Sequence, residues 1–372
     1  MSADAPTSTD SSTRVGRRVP VRGDLQNATA YGAPQPDGAV RLNTNETPWP
    51  PPAELTDALQ AKLGELDLHR YPDRQAWQLR TALGQRMGLP AERVWAANGS
   101  NEVLAQLLQA YGGPGRTLLA TEPGFAALTP IARTTLTRTV TVSLDDDLRL
   151  TPGAAAEAVE AHDPDVVCLA NPNNPTGVAE PLAVVRALHD AGRALVVIDE
   201  AYAEFARESA LALLDELDRL VVTRTLSKAF RLAGLRLGYL LGPAWLVDDL
   251  ALVRLPYHLN AITQAAGVLA CAHAEAVTAH IEAIVAERER VLAALAERGV
   301  TTWPSQANFV LLREPSPGLF QALWDRGVLV RDFSERPRLA GTLRVTIGAP
   351  EENDAFLEAL DDAVDAPRAG RE

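Results

Sequence analysis

Short apolar runs alternate with amphipathic stretches from about residue 93 to residue 242. In chain order these runs are VWAA, TLLAT, TVTVS, DVVCLA, ALVVID, LVVT and LGYLLG. Each run predicts a strand, and the stretches between the runs predict helices. This alternation is typical of a mostly parallel sheet that is covered by helices on both faces. We therefore predict an α/β fold with a central seven-stranded sheet.

The sequence on either side of this region divides the chain further. Residues 1–22 are rich in Ser, Thr, Asp and Arg and predict a disordered tail. Residues 23–52 predict an N-terminal arm, in which the prolines of residues 41–52 exclude a helix and favour an extended, turning path. A helix is expected to start near Ala53 and to open a large domain over residues 53–254. Residues 255–372 predict a linking helix and a smaller α+β domain, with strands in QANFVLLR, GVLVRD and GTLRVTIG.

Composition and charge exclude several classes of function. The 372 residues carry a formal net charge of -13, which argues against nucleic acid or an anionic membrane as the main partner. No apolar run has the length of a membrane span, and the N-terminus lacks the apolar core of a signal peptide. Cys168 and Cys271 lie far apart, so no disulfide framework, Cys-based zinc site or other metal site is predicted. These features predict a cytoplasmic protein.

The segment Thr223–Gly242, TRTLSKAFRLAGLRLGYLLG, contains one of only two lysines among the 35 Lys and Arg residues. Unlike arginine, Lys228 can lose its proton in a desolvated pocket and attack a carbonyl carbon. Thr225, Ser227 and Arg236 supply two hydroxyls and a guanidinium, a set that suits a phosphate. An amine beside a phosphate site indicates pyridoxal phosphate bound as a Schiff base. The alternative is an ordinary loop lysine among turn residues.

Ligands bind parallel sheets at the carboxyl ends of the strands, so the residues that follow the apolar runs are the candidates. After VWAA, the run NGSNE opens a helix, and the amides of Ser100 and Asn101 provide an anion site at its N-terminus. After TLLAT, Phe125 can stack on a flat heteroaromatic ring. A plain helix cap and a core phenylalanine are the alternatives for these two features.

Two further strand ends carry polar side chains. In NPNNPTG, Asn174 can donate a hydrogen bond to the cofactor's phenolic oxygen, although the run is also an Asn/Pro turn. In ALVVIDEAY, a buried Asp199 would pair with a protonated pyridine nitrogen, and Tyr202 could bond the same phenolic oxygen. A P-loop ATPase also has an acidic strand end, but the chain lacks G-x-x-x-x-G-K-[ST], which excludes that reading.

Taken together, these motifs resemble the histidinol-phosphate aminotransferase family of fold-type-I pyridoxal-phosphate enzymes. The motifs that carry the resemblance are Tyr31, LNTNE, RYP, NGSNE, NPNNPTG, DEAY, TLSKAFRLAGLRLGY and the pair Arg331 and Arg344. They span nearly the whole chain after the tail. Two departures are present: Phe125 stands where the family usually has a ring-stacking tyrosine, and TNETPWPP replaces the usual N-E-N-P-x-G type of run.

The resemblance implies roles for residues that no local pattern assigns. It implies a homodimer in which Tyr71 reaches the cofactor phosphate of the partner subunit. It also implies that Arg331 and Arg344, with Tyr31, hold the substrate phosphate and then the carboxylate of the second substrate. Guanidinium groups suit such bidentate anion recognition, although surface arginines are common. The arm is expected to pack on the small domain.

The reaction implied is transamination of L-histidinol phosphate with 2-oxoglutarate in histidine biosynthesis. In this scheme Lys228 acts as general base and acid. Three alternatives remain open from the sequence. They are an aromatic or broad-specificity aminotransferase, a lyase of the threonine-phosphate decarboxylase type, and a non-catalytic cofactor-binding regulator. The last form usually carries an N-terminal DNA-binding domain, for which a tail of 22 residues is too short.

Overall fold

The computed structural model describes residues 19–26, 28, 32, 36 and 39–365. The chain forms two compact units, residues 1–32 and residues 33–372. In the first unit, the described residues include one turn of 3₁₀ helix, Gly23–Leu25. Most of the predicted disordered tail, and Tyr31, lie outside the described residues.

The strands of the second unit confirm the predicted mostly parallel sheet. They are β1 (Val40–Arg41), β2 (Val94–Ala97), β3 (Thr117–Glu122), β4 (Arg138–Ser143), β5 (Val166–Ala170), β6 (Leu195–Asp199), β7 (Leu220–Thr225), β8 (Gly238–Leu241), β9 (Phe309–Arg313), β10 (Val328–Leu329), β11 (Arg331–Asp332) and β12 (Thr342–Thr346). The seven apolar runs become β2 to β8, which lie side by side in the order β2-β8-β7-β6-β5-β3-β4. Within this sheet β8 runs in the opposite direction to the other six strands.

Burial explains why the central strands read as continuous apolar runs. Every residue of β5, β6 and β7 is buried, because helices cover both faces of the sheet. Successive residues of β6 pack into two different hydrophobic cores: Val196 and Ile198 into one, and Leu195 and Val197 into the other. The edge strand β4 is less covered: Val140 and Val142 pack against a core, and its other residues are exposed or half-buried.

The α-helices of the second unit are α1 (Ala53–Leu63), α2 (Trp77–Met87), α3 (Ser100–Tyr111), α4 (Leu128–Thr134), α5 (Pro152–His162), α6 (Leu182–Asp190), α7 (Ala244–Val253), α8 (Ala261–Ala272), α9 (Thr278–Glu297), α10 (Leu319–Asp325) and α11 (Pro350–Asp365). The helices α3 to α6 lie between strands of the central sheet, as the predicted alternation requires, and further helices precede and follow this region. Helix α1 starts at Ala53, as predicted. Within the described part of the chain, no single helix is long and apolar enough to cross a membrane; one bent pair, Ala261–Ala272 with Ala274–Glu297, passes that test by length and composition.

The C-terminal strands differ from the prediction in one respect. The run GVLVRD, predicted as one strand, is divided at Val330 into β10 and β11. Strand β10 pairs in parallel with β1 of the arm, whereas β11 pairs with β12 in an antiparallel sheet that also contains β9. The division turns the chain from one partner to the other. As a result Arg331 lies directly opposite Arg344, and the two side chains project from the same face.

The direction of the strands brings the polar loops to one edge of the central sheet. Strands β3 to β7 are parallel, and β2 runs in the same direction because it is antiparallel to β8, which is antiparallel to β7. The segments after these strands therefore emerge together. They carry Ser100, Phe125, Asn174, Asp199 and Lys228.

Candidate active site

Lys228 lies in the turn after β7 and is partly buried. Its Nζ donates a hydrogen bond to the backbone oxygen of Thr44 at 3.1 Å. Burial lowers the pKa of the amine to about 8, and the positive charges of Arg344 and Arg236 act in the same direction, whereas Glu46 opposes them. A substantial fraction of the amine is therefore neutral near neutral pH. This is the state in which it is a nucleophile.

Asp199 ends β6 and is only 4% exposed. Its Oδ1 accepts a hydrogen bond at 2.9 Å from the hydroxyl of Thr223, its neighbour on β7. Burial raises the pKa of this carboxyl to about 6, and the nearby charge of Glu200 adds to the effect, which the Thr223 bond opposes. Within the described residues Asp199 forms no ion pair. Its negative charge is therefore compensated by hydrogen bonds alone, and the site suits a cationic ligand.

The next residue, Glu200, points away from this site. Its carboxylate forms an ion pair with Arg224 at 2.8 Å. It also accepts hydrogen bonds from the hydroxyl of Ser209 at 2.8 Å and from the amide of Ala210 at 2.6 Å. Glu200 is thus fully bonded within the chain. Of the two acids in the DEAY motif, only Asp199 is available to a ligand.

A chain of hydrogen bonds joins Tyr202 to the arm through Asn45 and to strand β12 through Asn174 and Arg344. The Tyr202 hydroxyl accepts from Asn174 Nδ2 at 3.2 Å and from Asn45 Nδ2 at 2.9 Å. Asn174 Oδ1 in turn accepts from Arg344 Nη1 at 2.6 Å. The structure therefore brings Asn174, Tyr202 and Arg344 into one network, with Asn45 from the arm as a fourth member.

The residues predicted to bind a phosphate also lie together. The hydroxyl of Thr225 lies 2.9 Å from that of Ser227, which accepts a bond from Arg236 Nη1 at 3.4 Å. Gly99 approaches the same guanidinium, since a β-carbon at this position would lie 2.7 Å from Arg236 Nη2. Its φ of 84° also favours glycine.

Helix α3 completes this group of donors. It begins at Ser100, and no side chain of the described residues caps its N-terminus. The first amides, those of Ser100 and Asn101, are therefore directed outward with the positive end of the helix dipole. Hydroxyls, a guanidinium and helix amides at one point are a set of donors that suits an anion.

Phe125 follows β3 and lines a cavity that it shares with Asp199. Thr121 and Cys168 contribute to the wall, and Phe333 covers it from the segment after β11. The phenyl ring and the buried carboxylate thus face one space, as stacking on a flat ring paired with Asp199 requires. The predicted stacking needs only the phenyl ring, so it does not require the hydroxyl that Phe125 lacks.

Arg344 on β12 is buried among aromatic rings. Its guanidinium carbon lies 5.2 Å from the ring centre of Phe309 and 5.4 Å from that of Phe333. Nη2 donates to the backbone oxygen of Asn43 at 2.8 Å. With Arg331 opposite it across the two strands, the site has two guanidinium groups on one face of the sheet.

The arm contributes contacts that its sequence pattern does not predict. Three consecutive residues, here called the arm turn (Asn43–Asn45), each bond a different site residue. The backbone oxygens of Asn43 and Thr44 accept from Arg344 and Lys228, and the Asn45 side chain donates to Tyr202. A sequence feature that could have indicated these contacts is the LNTNE run before the prolines. An asparagine in such a run tolerates the left-handed backbone that Asn45 adopts, with φ of 55°.

Tyr71 is the predicted site residue that the structure does not bring to the others within one chain. It is 80% exposed and stacks on Tyr257, with ring centres 4.4 Å apart. Leu252 and Leu255, close to Tyr257 in sequence, are also exposed. Tyr31, the remaining predicted contact, lies outside the described residues.

The comparisons with known proteins agree with this geometry. The family description "Aminotransferase class I and II" matches residues 37–360. A histidinol-phosphate aminotransferase of Corynebacterium diphtheriae is 45% identical over 92% of this chain and 95% of its own length. One from Thermobifida fusca is 47% identical over 92% of this chain and 95% of its own.

The chain belongs to the histidinol-phosphate aminotransferases, within aminotransferase class I and II. Among solved structures, the histidinol-phosphate aminotransferase of Sinorhizobium meliloti in complex with pyridoxal-5'-phosphate matches with a TM-score of 0.79. It is 26% identical, and the match covers 87% of this chain and 90% of that one. The family match of this aminotransferase contains every predicted site residue except Tyr31.

Proposed function

We propose that the protein transfers the amino group of L-histidinol phosphate to 2-oxoglutarate, with pyridoxal 5'-phosphate as cofactor. The products are 3-(imidazol-4-yl)-2-oxopropyl phosphate and L-glutamate, a step of L-histidine biosynthesis. The observation that carries this proposal is the meeting of three groups at one sheet edge. They are an amine of lowered pKa on Lys228, a buried Asp199 without an ion pair, and the Arg344 guanidinium.

The donor set fits the cofactor at each of its polar groups. Asp199 suits the protonated ring nitrogen, since it is a buried acid that is held only by hydrogen bonds. Thr225, Ser227 and Arg236, with the first amides of α3, suit the phosphate. Phe125 would stack on the ring, and Asn174 and Tyr202 would bond its phenolic oxygen. When bound, pyridoxal phosphate supplies the electron sink that permits the carbon–hydrogen bond beside the amine to break.

The residues of this chain then handle the proton and the charges. Lys228 Nζ would hold the cofactor until the substrate amine replaces it. The freed amine would then take the proton from the substrate carbon and deliver it to the cofactor carbon. Its lowered pKa makes the neutral, basic form available. Asp199 would keep the ring nitrogen positively charged, and the hydroxyl of Tyr202 would stabilise negative charge on the phenolic oxygen.

The anionic end of either substrate would bind at Arg344 and Arg331. Both guanidinium groups project from one sheet face, and Arg344 already joins Asn174 to the arm turn. A tetrahedral phosphate and a planar carboxylate both present pairs of oxygen acceptors to such groups. The same pair can therefore serve L-histidinol phosphate in one half of the reaction and 2-oxoglutarate in the other, with Tyr31 as a further contact.

We also propose a homodimer with a shared active site. The exposed side chains of Leu68, Tyr71, Leu252, Leu255 and Tyr257 support it, because so many large apolar groups rarely stay exposed together on a monomer. The domain division at residue 254 and a cytoplasmic location belong to the same proposal. The pairing of β1 with β10 supports an arm that packs on the C-terminal domain, and the free thiols of Cys168 and Cys271 agree with a reducing compartment.

A single-turnover experiment tests the substrate. Purified protein with bound cofactor is mixed separately with L-histidinol phosphate, L-phenylalanine and L-threonine phosphate, and conversion of the cofactor to its pyridoxamine form is followed by absorbance. We expect fast conversion by L-histidinol phosphate alone. A preference for L-phenylalanine would overturn the substrate but retain the roles of Lys228 and the cofactor. Release of carbon dioxide from L-threonine phosphate would replace transamination by a lyase reaction.

A further inference from the structure

Asn45 is the member of the arm turn that is held most completely. It is 1% exposed, and each of its polar groups has a partner. Its amide nitrogen donates to Thr346 Oγ1 at 3.0 Å, its backbone oxygen accepts from Asn308 Nδ2 at 3.1 Å, and its side chain bonds both Thr346 and Tyr202. Three segments that are distant in sequence therefore meet at this residue.

These contacts determine which end of the Asn45 side chain faces Tyr202. The hydroxyl of Thr346 accepts from the Asn45 backbone amide and donates its single hydrogen to Asn45 Oδ1, 3.2 Å away. Oδ1 is thereby engaged as an acceptor. The NH₂ group of Asn45 must then face the Tyr202 hydroxyl at 2.9 Å, and it does so as a donor.

The orientation of the Asn174 side chain, which also contacts the Tyr202 hydroxyl, is determined by its bond to Arg344. Arg344 can only donate hydrogen bonds, so the atom of Asn174 that lies 2.6 Å from Nη1 must be the oxygen. The NH₂ group of Asn174 consequently faces Tyr202 at 3.2 Å. Both neighbours of the phenol oxygen are therefore donors.

Two incoming donors determine what the Tyr202 hydroxyl can do. A phenol oxygen has one hydrogen to donate, and with both neighbouring amides donating, this hydrogen must be directed elsewhere. Hydrogen bonds that an oxygen accepts also polarise its own O–H bond and make it a stronger donor. Without Asn45, the hydroxyl could rotate toward other acceptors and would be less polarised.

We propose that Asn45 is a positioning residue that holds the Tyr202 hydroxyl as a hydrogen-bond donor to the phenolic oxygen of pyridoxal phosphate. The proposal rests on the proposed function for its cofactor. Asn45 itself does not touch the cofactor in this account; it acts through Tyr202. The arm turn thus becomes part of the apparatus that sets the electronic state of the cofactor.

The observable consequence is a pH midpoint. A donor to the phenolic oxygen stabilises negative charge there, most of all when the nitrogen that joins Lys228 to the cofactor has lost its proton. Loss of the donor must therefore raise the pH at which that proton leaves. The charged and titratable groups that face this nitrogen include Glu46 from the arm, Asp199, Lys228, Arg236 and Arg344, and the variants below retain all five.

The test is a spectroscopic pH titration of the protein with bound cofactor. Asn45→Gly is the suitable variant, because glycine accepts the φ of 55° that alanine would resist. We expect its midpoint to rise by roughly 0.3 to 1 pH unit, the equivalent of one modest hydrogen bond. Tyr202→Phe should give a larger rise. The double variant should show no rise beyond that of Tyr202→Phe, since Asn45 acts through the hydroxyl.

Asn308→Ala is the matched control. It removes a bond to the Asn45 backbone but none to Tyr202, so we expect a lower unfolding temperature and an unchanged midpoint. An unchanged midpoint in Asn45→Gly, an additive rise in the double variant, or an equal rise in Asn308→Ala would overturn the inference. A wild-type protein that shows no cofactor absorbance at all would overturn the proposed function instead, so the two failures are distinct.

Discussion

Two consecutive acidic residues, Asp199 and Glu200, lie at the end of β6, and their side chains have different partners on the two faces of the sheet. On one face Asp199 is bonded by the hydroxyl of Thr223, and burial raises the pKa of its carboxyl to about 6. On the other face Glu200 is paired with Arg224 and bonded by Ser209. Glu200 therefore has a counter-charge within the chain, whereas Asp199 has none among the described residues.

This difference separates a structural acid from one that is available to a ligand. A buried charge without a counter-charge is costly, and folding tolerates it only where other interactions offset the cost. Asp199 carries this cost at the same sheet edge as Lys228 and the anion-binding donors. A ligand with a cationic ring and an anionic tail would relieve it, because the ring supplies the missing positive charge.

The largest expected effect belongs to the amine at this edge. Lys228→Ala should lower transamination by more than about 10³-fold, because it removes both the covalent attachment and the general base. The absorbance of the lysine-bound cofactor should disappear as well. Lys62→Ala is the matched control, since Lys62 is the only other lysine and pairs on the surface with Glu65, just after the end of α1. Transamination that survives in the Lys228 variant would contradict the account.

Substitutions of the two acids should change the stability of the protein in opposite directions. Asp199→Asn should reduce the rate roughly 10²- to 10³-fold through lost electrostatic stabilisation. Because the raised pKa makes ionisation of Asp199 costly above about pH 6, the same variant should stabilise the cofactor-free protein at neutral pH by about 1–3 kcal/mol. This gain should vanish as pH falls toward the ordinary pKa of an aspartate.

Glu200→Gln should destabilise the protein. It leaves the Arg224 guanidinium buried without its counter-charge, so we expect a loss of about 3–5 kcal/mol in the free energy of unfolding. The double variant Glu200→Gln with Arg224→Met should recover part of this loss. Chemical denaturation and steady-state rates, measured on the same samples, compare the faces directly. Equal stability losses in Asp199→Asn and Glu200→Gln would remove the distinction between them.

The phosphate end of the site should give a smaller effect. Arg236→Ala should weaken cofactor binding about 10- to 100-fold or somewhat more, the value of a charged hydrogen bond. Arg116→Ala, which removes an exposed partner of Asp165 far from these donors, is the control. A fluorescence titration of cofactor-free protein with pyridoxal phosphate measures both. Unchanged affinity in the Arg236 variant would take this guanidinium out of the phosphate site.

The smallest effect concerns the protonation of Lys228. In cofactor-free protein, the rate of imine formation with pyridoxal phosphate should rise with pH and reach half its maximum near pH 8, because only the neutral amine reacts. Arg344→Met should move this midpoint upward, since the Arg344 charge lowers the pKa of the amine. Stopped-flow absorbance measures the rate. A downward shift in the variant would contradict the sign of this interaction.

The sequence predicts the residues that follow strands better than it predicts their partners. Asp199, Asn174 and Lys228 are found from sequence because parallel strands deliver their carboxyl ends to one edge. The period of two along β6 also implies that Asp199 and Glu200 face opposite ways. Which acid obtains a counter-charge depends on Arg224 and Ser209, whose side-chain contacts have no local pattern.

The arm turn and the C-terminal strands were less predictable for a similar reason. Asn45 contacts Thr346 across 301 positions of sequence, and such a contact exists only after both segments have packed. The division of GVLVRD at Val330 depends on two different pairing partners, β1 and β12. A single apolar run does not encode that choice, because both halves have the same strand character.

The most direct test of the central claim is the protonation state of the cofactor's ring nitrogen. Pyridoxal phosphate labelled with ¹⁵N at the ring would be bound to the wild-type protein and to Asp199→Asn, and its chemical shift measured by NMR across neutral pH. The account predicts a protonated ring nitrogen in the wild type and a neutral one in the variant. A neutral ring nitrogen in the wild type would contradict the assignment of Asp199 as its partner.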